Sequence, residues 1–398
     1  MTPEIVQVVQ EFSTAGGAET VAYELARAFA KVGVPNCVLA GVARGRVESA
    51  TTVQIVAGWL GRIPLRGRLR YLARTGVMPL FTVAATVALR RHRDAVVVSH
   101  GDSLKGDILV VHAVNAASLA EKRRGGDWRW RLNPMHAWVG LRDHLMIGGL
   151  RYRTYVAVSD RVSTELQQHY RVPEDRIRVI PNGIDLARFR REPEAGRAIR
   201  REFGIPPEAR LLVFAGHEFA RKGLSHVIGA LERMPADTWL LVVGSDNPAP
   251  YRRLAQSAAD RLVFAGHRTD MPAIYAAADA FVLPTAYETF SLVCMEAMAC
   301  GLPVFATRVG GIEDYLVDGQ SGFGILPESA DIADKLAHAF ADPALMERLG
   351  AGARETASRF GWDRVAQIYL GLIAEVRAAK RAGAPAGPAV ASRPQPIL

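Results

Sequence analysis

The chain has 398 residues, of which 49% are hydrophobic and 22% charged, enough for two globular domains each with its own core. Its formal net charge is +9, and the excess is local: residues 1–185 hold 25 Lys and Arg against 16 Asp and Glu, the remainder 24 against 24. Three cysteines (Cys37, Cys294 and Cys300) without a C-x-x-C pair argue against a disulfide framework and suggest thiols in a reducing compartment. The N-terminus runs straight into a strand pattern, with no basic and apolar leader. The longest uncharged run, residues 75–89, is shorter than the ~20 apolar residues of a membrane-spanning helix and contains Pro79.

In chain order, residues 4–11 alternate apolar side chains and predict a first strand, followed by a helix over 18–32 that Gly33 closes. Strands are predicted over 36–40, 95–99, 108–112 and 153–158, the last leading into a helix opened by Ser159 or Asp160, and 178–181 ends the first half. Residues 183–206 alternate charge and proline and predict a linker. The pattern then restarts, with strands over 211–215, 239–244, 262–266, 280–284 and 304–307 and helices over 224–232, 251–259, 271–277 and 292–300. A long helix is predicted over 362–379, and the Ala-, Pro- and Gly-rich residues 382–398 predict disorder. Strands alternating with helices twice over predict two doubly wound α/β domains, whose ligands bind at the carboxyl ends of the strands.

The most informative segment is Tyr287-Glu288-Thr289-Phe290-Ser291-Leu292-Val293-Cys294-Met295-Glu296. Here a buried strand turns into a helix with Thr289 or Ser291 as the predicted N-cap. The amides of Phe290, Ser291 and Leu292 gather where an anion would sit. Glu288 and Glu296 flank that corner, so it offers amides to a phosphate and carboxylates to hydroxyl groups. Gly16 and Gly17 follow the first strand, and Pro181-Asn182-Gly183-Ile184-Asp185 lies mid-chain. Arg221-Lys222-Gly223 and Gly310-Gly311-Ile312-Glu313 follow later strands. No G-x-G-x-x-G follows the first strand, which disfavours a nicotinamide enzyme. No helix-turn-helix, zinc ligand set or aromatic RNA-binding strand supports a nucleic-acid binder.

In this order, the motifs resemble those of the retaining glycosyltransferases of family 4, with Glu288 and Glu296 as the E-x7-E signature. The resemblance covers about residues 4–375. Within the family the second half is most similar to the lipopolysaccharide-core glucosyltransferases. The resemblance implies a GT-B fold: two Rossmann-like domains facing across a cleft, residues 1–184 for the acceptor and 185–361 for a nucleotide-sugar. A helix over 362–381 would cross back to the first domain. It implies transfer of a sugar, expected to be glucose, from a UDP-sugar to a lipopolysaccharide-core, glycolipid or other cell-envelope acceptor. Arg221 and Lys222 would take up the charge of the leaving diphosphate, so that no metal is required; no Asp-x-Asp motif is present.

Glu296 would hold the ribose and Glu288 the donor sugar, either as ligand or as nucleophile. Gly16 and Gly17 would close over the donor phosphate. His217 stands where the family often has Arg or Ser, and Gly266, His267 and Arg268 lie where the family grips the base. His112 is the candidate on the acceptor side, with His100, two residues before Asp102, as its rival. A nucleotide-sugar 2-epimerase of the same architecture and a nonenzymatic polyanion binder are the alternatives.

Residues 50–93 hold eight arginines (Arg62, Arg66, Arg68, Arg70, Arg74, Arg90, Arg91 and Arg93) and no acid. This stretch predicts an anionic partner, a membrane face or a phosphorylated glycolipid, and hence a cytoplasmic, peripheral protein.

Overall fold

The computed structural model describes residues 3–14, 16–45, 47–58, 68–124 and 134–383. The chain forms two compact units, residues 3–183 joined by the helix from Trp362, and Ile184–Gly361. Arg62 and Arg66 and the predicted disordered tail beyond 383 lie outside the described residues.

In the first unit β1 (Ile5–Phe12), α1 (Gly17–Lys31), β2 (Asn36–Ala43), β3 (Thr51–Ile55) and α2 (Arg68–Ala88) come first. They are followed by β4 (Val96–Ser99), β5 (Ile108–Val111), α3 (Asn115–Arg124) and α4 (Pro134–Asp143). A π-helical turn (His144–Gly148), β6 (Thr154–Ala157), α5 (Asp160–Tyr170) and β7 (Ile177–Val179) complete the run. The seven strands are parallel in the order β3-β2-β1-β4-β5-β6-β7. Strand alternation sends Val6 and Val8 to one face, where Phe81, Ala85 and Leu89 of the α2 region cover them. Val9 packs on the other face with Ala22 and Ala26 of α1.

The second unit opens with α6 (Pro193–Glu202), then β8 (Arg210–Ala215), α7 (Leu224–Leu231), β9 (Thr238–Val243), α8 (Ala249–Arg252) and β10 (Leu262–Gly266). Next come α9 (Met271–Ala277), β11 (Ala280–Leu283), α10 (Leu292–Ala299), β12 (Val304–Ala306), β13 (Gly322–Gly324), α11 (Ser329–Phe340) and α12 (Pro343–Ser358). Its six strands are parallel in the order β10-β9-β8-β11-β12-β13. Both sheets therefore reverse their winding once, between β1 and β4 and between β8 and β11, and such a switch point opens a crevice at the strand ends. The last helix, α13 (Trp362–Arg381), lies in the first unit. Lys31 pairs with Asp363, Arg377 with Glu4 and Lys380 with Asp107 along it.

Several local expectations are corrected. The predicted linker 183–206 belongs to the second unit: Phe189 and Ile199 are buried, and Gly196 lets α6 press onto the Ala276 carbonyl, where a Cβ would meet the oxygen at 2.5 Å. Arg200 ties the segment down, donating to Asp279 (2.9 Å) and to the carbonyls of Ala277 and Ala209. Its charge pattern reflects local pairs such as Arg190 with Glu192, not a free tether. The helix expected over 251–259 stops at Arg252; Leu254 and Ala255 are adjacent rather than on one face, and Leu254 is exposed. Pro79 does not break α2, which runs through it. Nearby, the Thr82 hydroxyl donates to the Met78 carbonyl at 2.9 Å.

Candidate functional site

In the second unit the predicted residues gather at the carboxyl ends of β8 and β11, the switch point of the sheet. The loop after β8 carries Gly216, His217, Arg221 and Lys222. Gly223 follows at φ +79° against β11, where a Cβ would lie 2.2 Å from the Pro284 carbonyl oxygen, so only glycine permits this approach. The Ala286 amide donates to the Arg221 carbonyl at 2.9 Å and joins the two loops. The result is an ion pair between Lys222 and Glu288, with only about a tenth of either side chain exposed. Gly310, at φ +60°, braces the other side; a Cβ there would overlap the Glu288 carbonyl oxygen.

Arg221 bridges two loops: Nε donates to Glu218 in its own loop (2.8 Å) and Nη1 to the Tyr287 carbonyl after β11 (2.6 Å). It thus braces the segment that presents Glu288 as well as adding positive charge beside it.

The start of α10 differs from the predicted cap. Ser291 occupies the N-cap position in the left-handed region (φ 65°), and its hydroxyl caps nothing. That hydroxyl is buried and has no hydrogen-bond partner among the described residues. A β-carbon in this conformation is strained by about 1–2 kcal/mol. The surroundings hold it there: the Phe290 ring packs against Tyr315 and Phe360, and the Tyr315 hydroxyl donates to the Phe290 carbonyl at 2.8 Å. The first amides of α10, from Leu292 onward, have no partner within the helix.

Glu296 sits in the second turn of α10, half-buried, and accepts a 2.9 Å hydrogen bond from the Tyr275 hydroxyl. Burial raises its pKa to about 7, against smaller opposing effects of Tyr275 and the nearby Arg188 charge. A carboxyl in this state is poised to accept hydrogen bonds from paired hydroxyls, which would replace the water it has lost. Gly266 and His267, both exposed, follow β10. His267 stacks near His217 (ring centroids 6.5 Å apart, 13° between planes), and Ser245 Oγ lies 3.1 Å from His217 Nδ1. Arg268 is engaged elsewhere, with Glu202 and Asp270. Tyr275 was not singled out from sequence. Asp246, in the loop after β9, accepts from the Phe219 amide at 2.7 Å and fixes the turn after β8.

In the first unit Gly16 is the N-cap of α1, which begins at Gly17. The rivals His100 and His112 turn out to be partners: His100 Nδ1 lies 3.0 Å from His112 Nε2. Asp102 accepts from the Gln10 amide at 2.8 Å, and Arg142 stands between Asp102 and Asp143.

Residues 196–356 match the family model for glycosyl transferases group 1, and residues 15–188 match that for glycosyltransferase family 4. Among solved structures the chain is similar to WaaG, a glycosyltransferase involved in lipopolysaccharide biosynthesis. The TM-score is 0.75 at 22% identity, covering 93% of this chain and 99% of that one. The Anabaena protein HepE, solved with UDP and glucose, gives 0.69 at 19% identity, covering 94% and 99%.

The chain has the GT-B fold.

The curated relatives bear a different name from the one the sequence motifs suggested. A D-inositol 3-phosphate glycosyltransferase of Xylanimonas cellulosilytica is 35% identical over 236 residues, 55% of this chain and 56% of that protein. One of Streptomyces bingchenggensis is 34% identical over 240 residues, 55% and 52%. The chain thus spans about half the length of the curated relatives it matches. The expected likeness to lipopolysaccharide-core glucosyltransferases is one of fold; the higher identities are to proteins named for a phosphorylated cyclitol.

Proposed function

We propose that the protein is a retaining glycosyltransferase that moves a hexosyl group from a UDP-sugar to an acceptor bearing an anionic group. The observation that carries this reading is the α10 corner, where the Lys222–Glu288 pair, the strained Ser291 turn and Glu296 lie around one strand-to-helix junction. Glu296 would accept hydrogen bonds from the ribose hydroxyls, and the α10 amides with Lys222 and Arg221 would hold the diphosphate. Glu288 would face the sugar. His217 and His267 flank the place for the base. The anomeric carbon–phosphate oxygen bond would break while the acceptor oxygen bonds to the same face, and the departing phosphate oxygen would take the acceptor proton.

UDP is favoured because the similar HepE structures hold UDP, UDP with glucose, or UDP-glucose. Glucose as the transferred sugar is the expectation to test first. The anionic acceptor is favoured by the net positive first half and by the relatives named for D-inositol 3-phosphate. The deciding experiment is a panel of nucleotide-sugars with donor hydrolysis as readout, joined to calorimetry. UDP should bind with micromolar affinity, about −8 kcal/mol; tight GDP or ADP binding with none for UDP would remove the donor assignment.

No described helix is long and apolar enough to cross a membrane. Peripheral docking through α2 is part of the same reading: Leu80, Val83 and Val87 are exposed on one face of that helix, and the exposed Arg90, Arg91 and Arg93 follow it.

A further inference from the structure

Gln7 lies in the middle of β1 with no exposed surface, in a run that is otherwise apolar from Ile5 to Val9. A fully buried amide in a central strand is costly unless its polar atoms are used. Its Oε1 lies 2.9 Å from Nε2 of His100, itself buried after β4. His100 Nδ1 lies 3.0 Å from Nε2 of His112 at the end of β5, and the two rings are nearly parallel at 16°. The chain of contacts thus crosses three adjacent strands at the switch point of the first sheet.

With the Gln7 oxygen turned to His100 and the buried Nε2 of Gln7 left without a partner among the described residues, hydrogen-bond rules set the direction of the chain. An amide oxygen only accepts, so His100 must carry its proton on Nε2. A neutral imidazole has one N–H, so His100 Nδ1 accepts, and His112 must donate from Nε2. His112 is then left with a bare lone pair on Nδ1. Both rings are neutral near pH 7, because burial lowers their pKa values, that of His112 to about 4. His112 is only half-buried, and its Nδ1 has no hydrogen bond to the described residues.

We propose that Gln7, acting through His100, sets the tautomer of His112 so that its Nδ1 accepts a hydrogen bond from a substrate hydroxyl. Gln7 and His100 are positioning residues in this scheme. A carboxylate or phosphate oxygen, which can only accept, finds a lone pair facing it and is disfavoured at that position. The anionic group of an acceptor would therefore lie elsewhere on the first unit. The proposal rests on the reading of His112 as a residue of the acceptor side, but the hydrogen-bond direction itself does not depend on that reading.

The test uses the full chain with 15N-labelled histidine, the His112 signals being assigned from a His112→Phe variant. At pH 7.5 both His100 and His112 should show the Nε2–H tautomer. Gln7→Met, which keeps the shape and removes the acceptor oxygen, should turn His112 into a mixture of tautomers. Gln7→Glu, read at pH 8.5, should restore the wild-type pattern, which a purely structural role would not require. Glucose should perturb the His112 Nδ1 resonance in the wild type more strongly than glucuronate, and this difference should fall in the Met variant. An Nδ1–H tautomer in the wild type, an unchanged His112 spectrum in Gln7→Met, or an equal or absent response to the two sugars would overturn the proposal. UDP calorimetry on the same samples reads the donor site separately, so failure of the glycosyltransferase reading would show there and not in the tautomer spectra.

Discussion

Lys222 and Glu288, 66 positions apart in sequence, form an ion pair that is about nine-tenths buried on both sides. Burying two charges stabilises little in net terms, but removing one partner leaves the other uncompensated. Such a pair at a switch point is better explained by what it holds ready than by what it adds to stability. Lys222→Met should lower stability by about 2–4 kcal/mol, visible as a lower urea midpoint. It should also lower turnover on the order of 100-fold while weakening UDP binding far less, because diphosphate charge grows most in the transition state. Activity should survive EDTA. A wild-type rate in the Arg221→Ala/Lys222→Ala double variant would remove these residues from the reaction.

Glu296 gives a prediction with a defined pH window. Its folded pKa of about 7 lies above its ordinary value of 4.5, so between these values the folded state binds more protons than the unfolded chain. Stability from this group therefore falls as pH rises through that window, and the penalty is fully present above it. Glu296→Gln removes the penalty. It should stabilise the ligand-free protein at pH 8 by no more than about 3 kcal/mol and leave stability at pH 4.5 nearly unchanged. The same variant should weaken UDP binding. In the wild type UDP affinity should rise from pH 6 to pH 8 as the carboxylate ionises. A Glu296→Gln protein that is less stable than wild type at pH 8 would contradict this account.

Tyr275 is the only described side chain hydrogen-bonded to that carboxylate. Its hydroxyl, buried and held far from ionisation, acts as a donor and helps keep the Glu296 pKa from rising further. Tyr275→Phe should move the pH dependence of UDP binding upward by about one unit or less, with little effect at pH 9. Calorimetric titrations across that range would show it.

Gly310 should tolerate no side chain. A Cβ would overlap the Glu288 carbonyl oxygen, and the left-handed backbone adds its own strain. Gly310→Ala should cost more than about 2 kcal/mol and displace Glu288, lowering activity beyond the effect on stability. Gly319, also left-handed but with nothing within 4 Å of a Cβ, is the control: its Ala variant should pay only the backbone cost.

Much of the architecture was legible because parallel strands buried on both faces read as short apolar runs between helical patterns. The runs at 211–215 and 280–284 gave β8 and β11 to within a residue at either end. What escaped had weak local signals. β3 is a five-residue edge strand with mixed residues, α3 carries no apolar face, and Pro79 disguised α2. The motif residues of the second unit were legible because their spacing is local. Tyr275 and Gln7 were not, since their meaning comes from partners 21 and 93 positions away. A glutamine inside an apolar strand was the one available signal for the latter. The rivalry of His100 and His112 dissolved for the same reason: only the strand order β1-β4-β5 brings both rings together.

The surface of α2 yields the prediction about location. Leu80, Val83 and Val87 are each about half exposed, at spacings that put them on one helical face, and they are followed by the exposed Arg90, Arg91 and Arg93. Apolar side chains left in water at i, i+3 and i+7 on a helix flanked by cations fit an anionic lipid surface. Each arginine contributes about 1 kcal/mol at such a surface, and the attraction is screened by salt. The protein should sediment with phosphatidylglycerol vesicles at low salt, release at high salt, and ignore phosphatidylcholine vesicles. Reversing Arg90, Arg91 and Arg93 to Glu should abolish sedimentation, and Leu80→Ser/Val83→Ser/Val87→Ser should weaken it at every salt concentration. Neither set should change UDP affinity, because none of these six residues is among those proposed to hold the donor. If the wild type does not bind anionic vesicles, the stripe and the arginines are a solvated face, and the acceptor must be sought among soluble phosphorylated compounds.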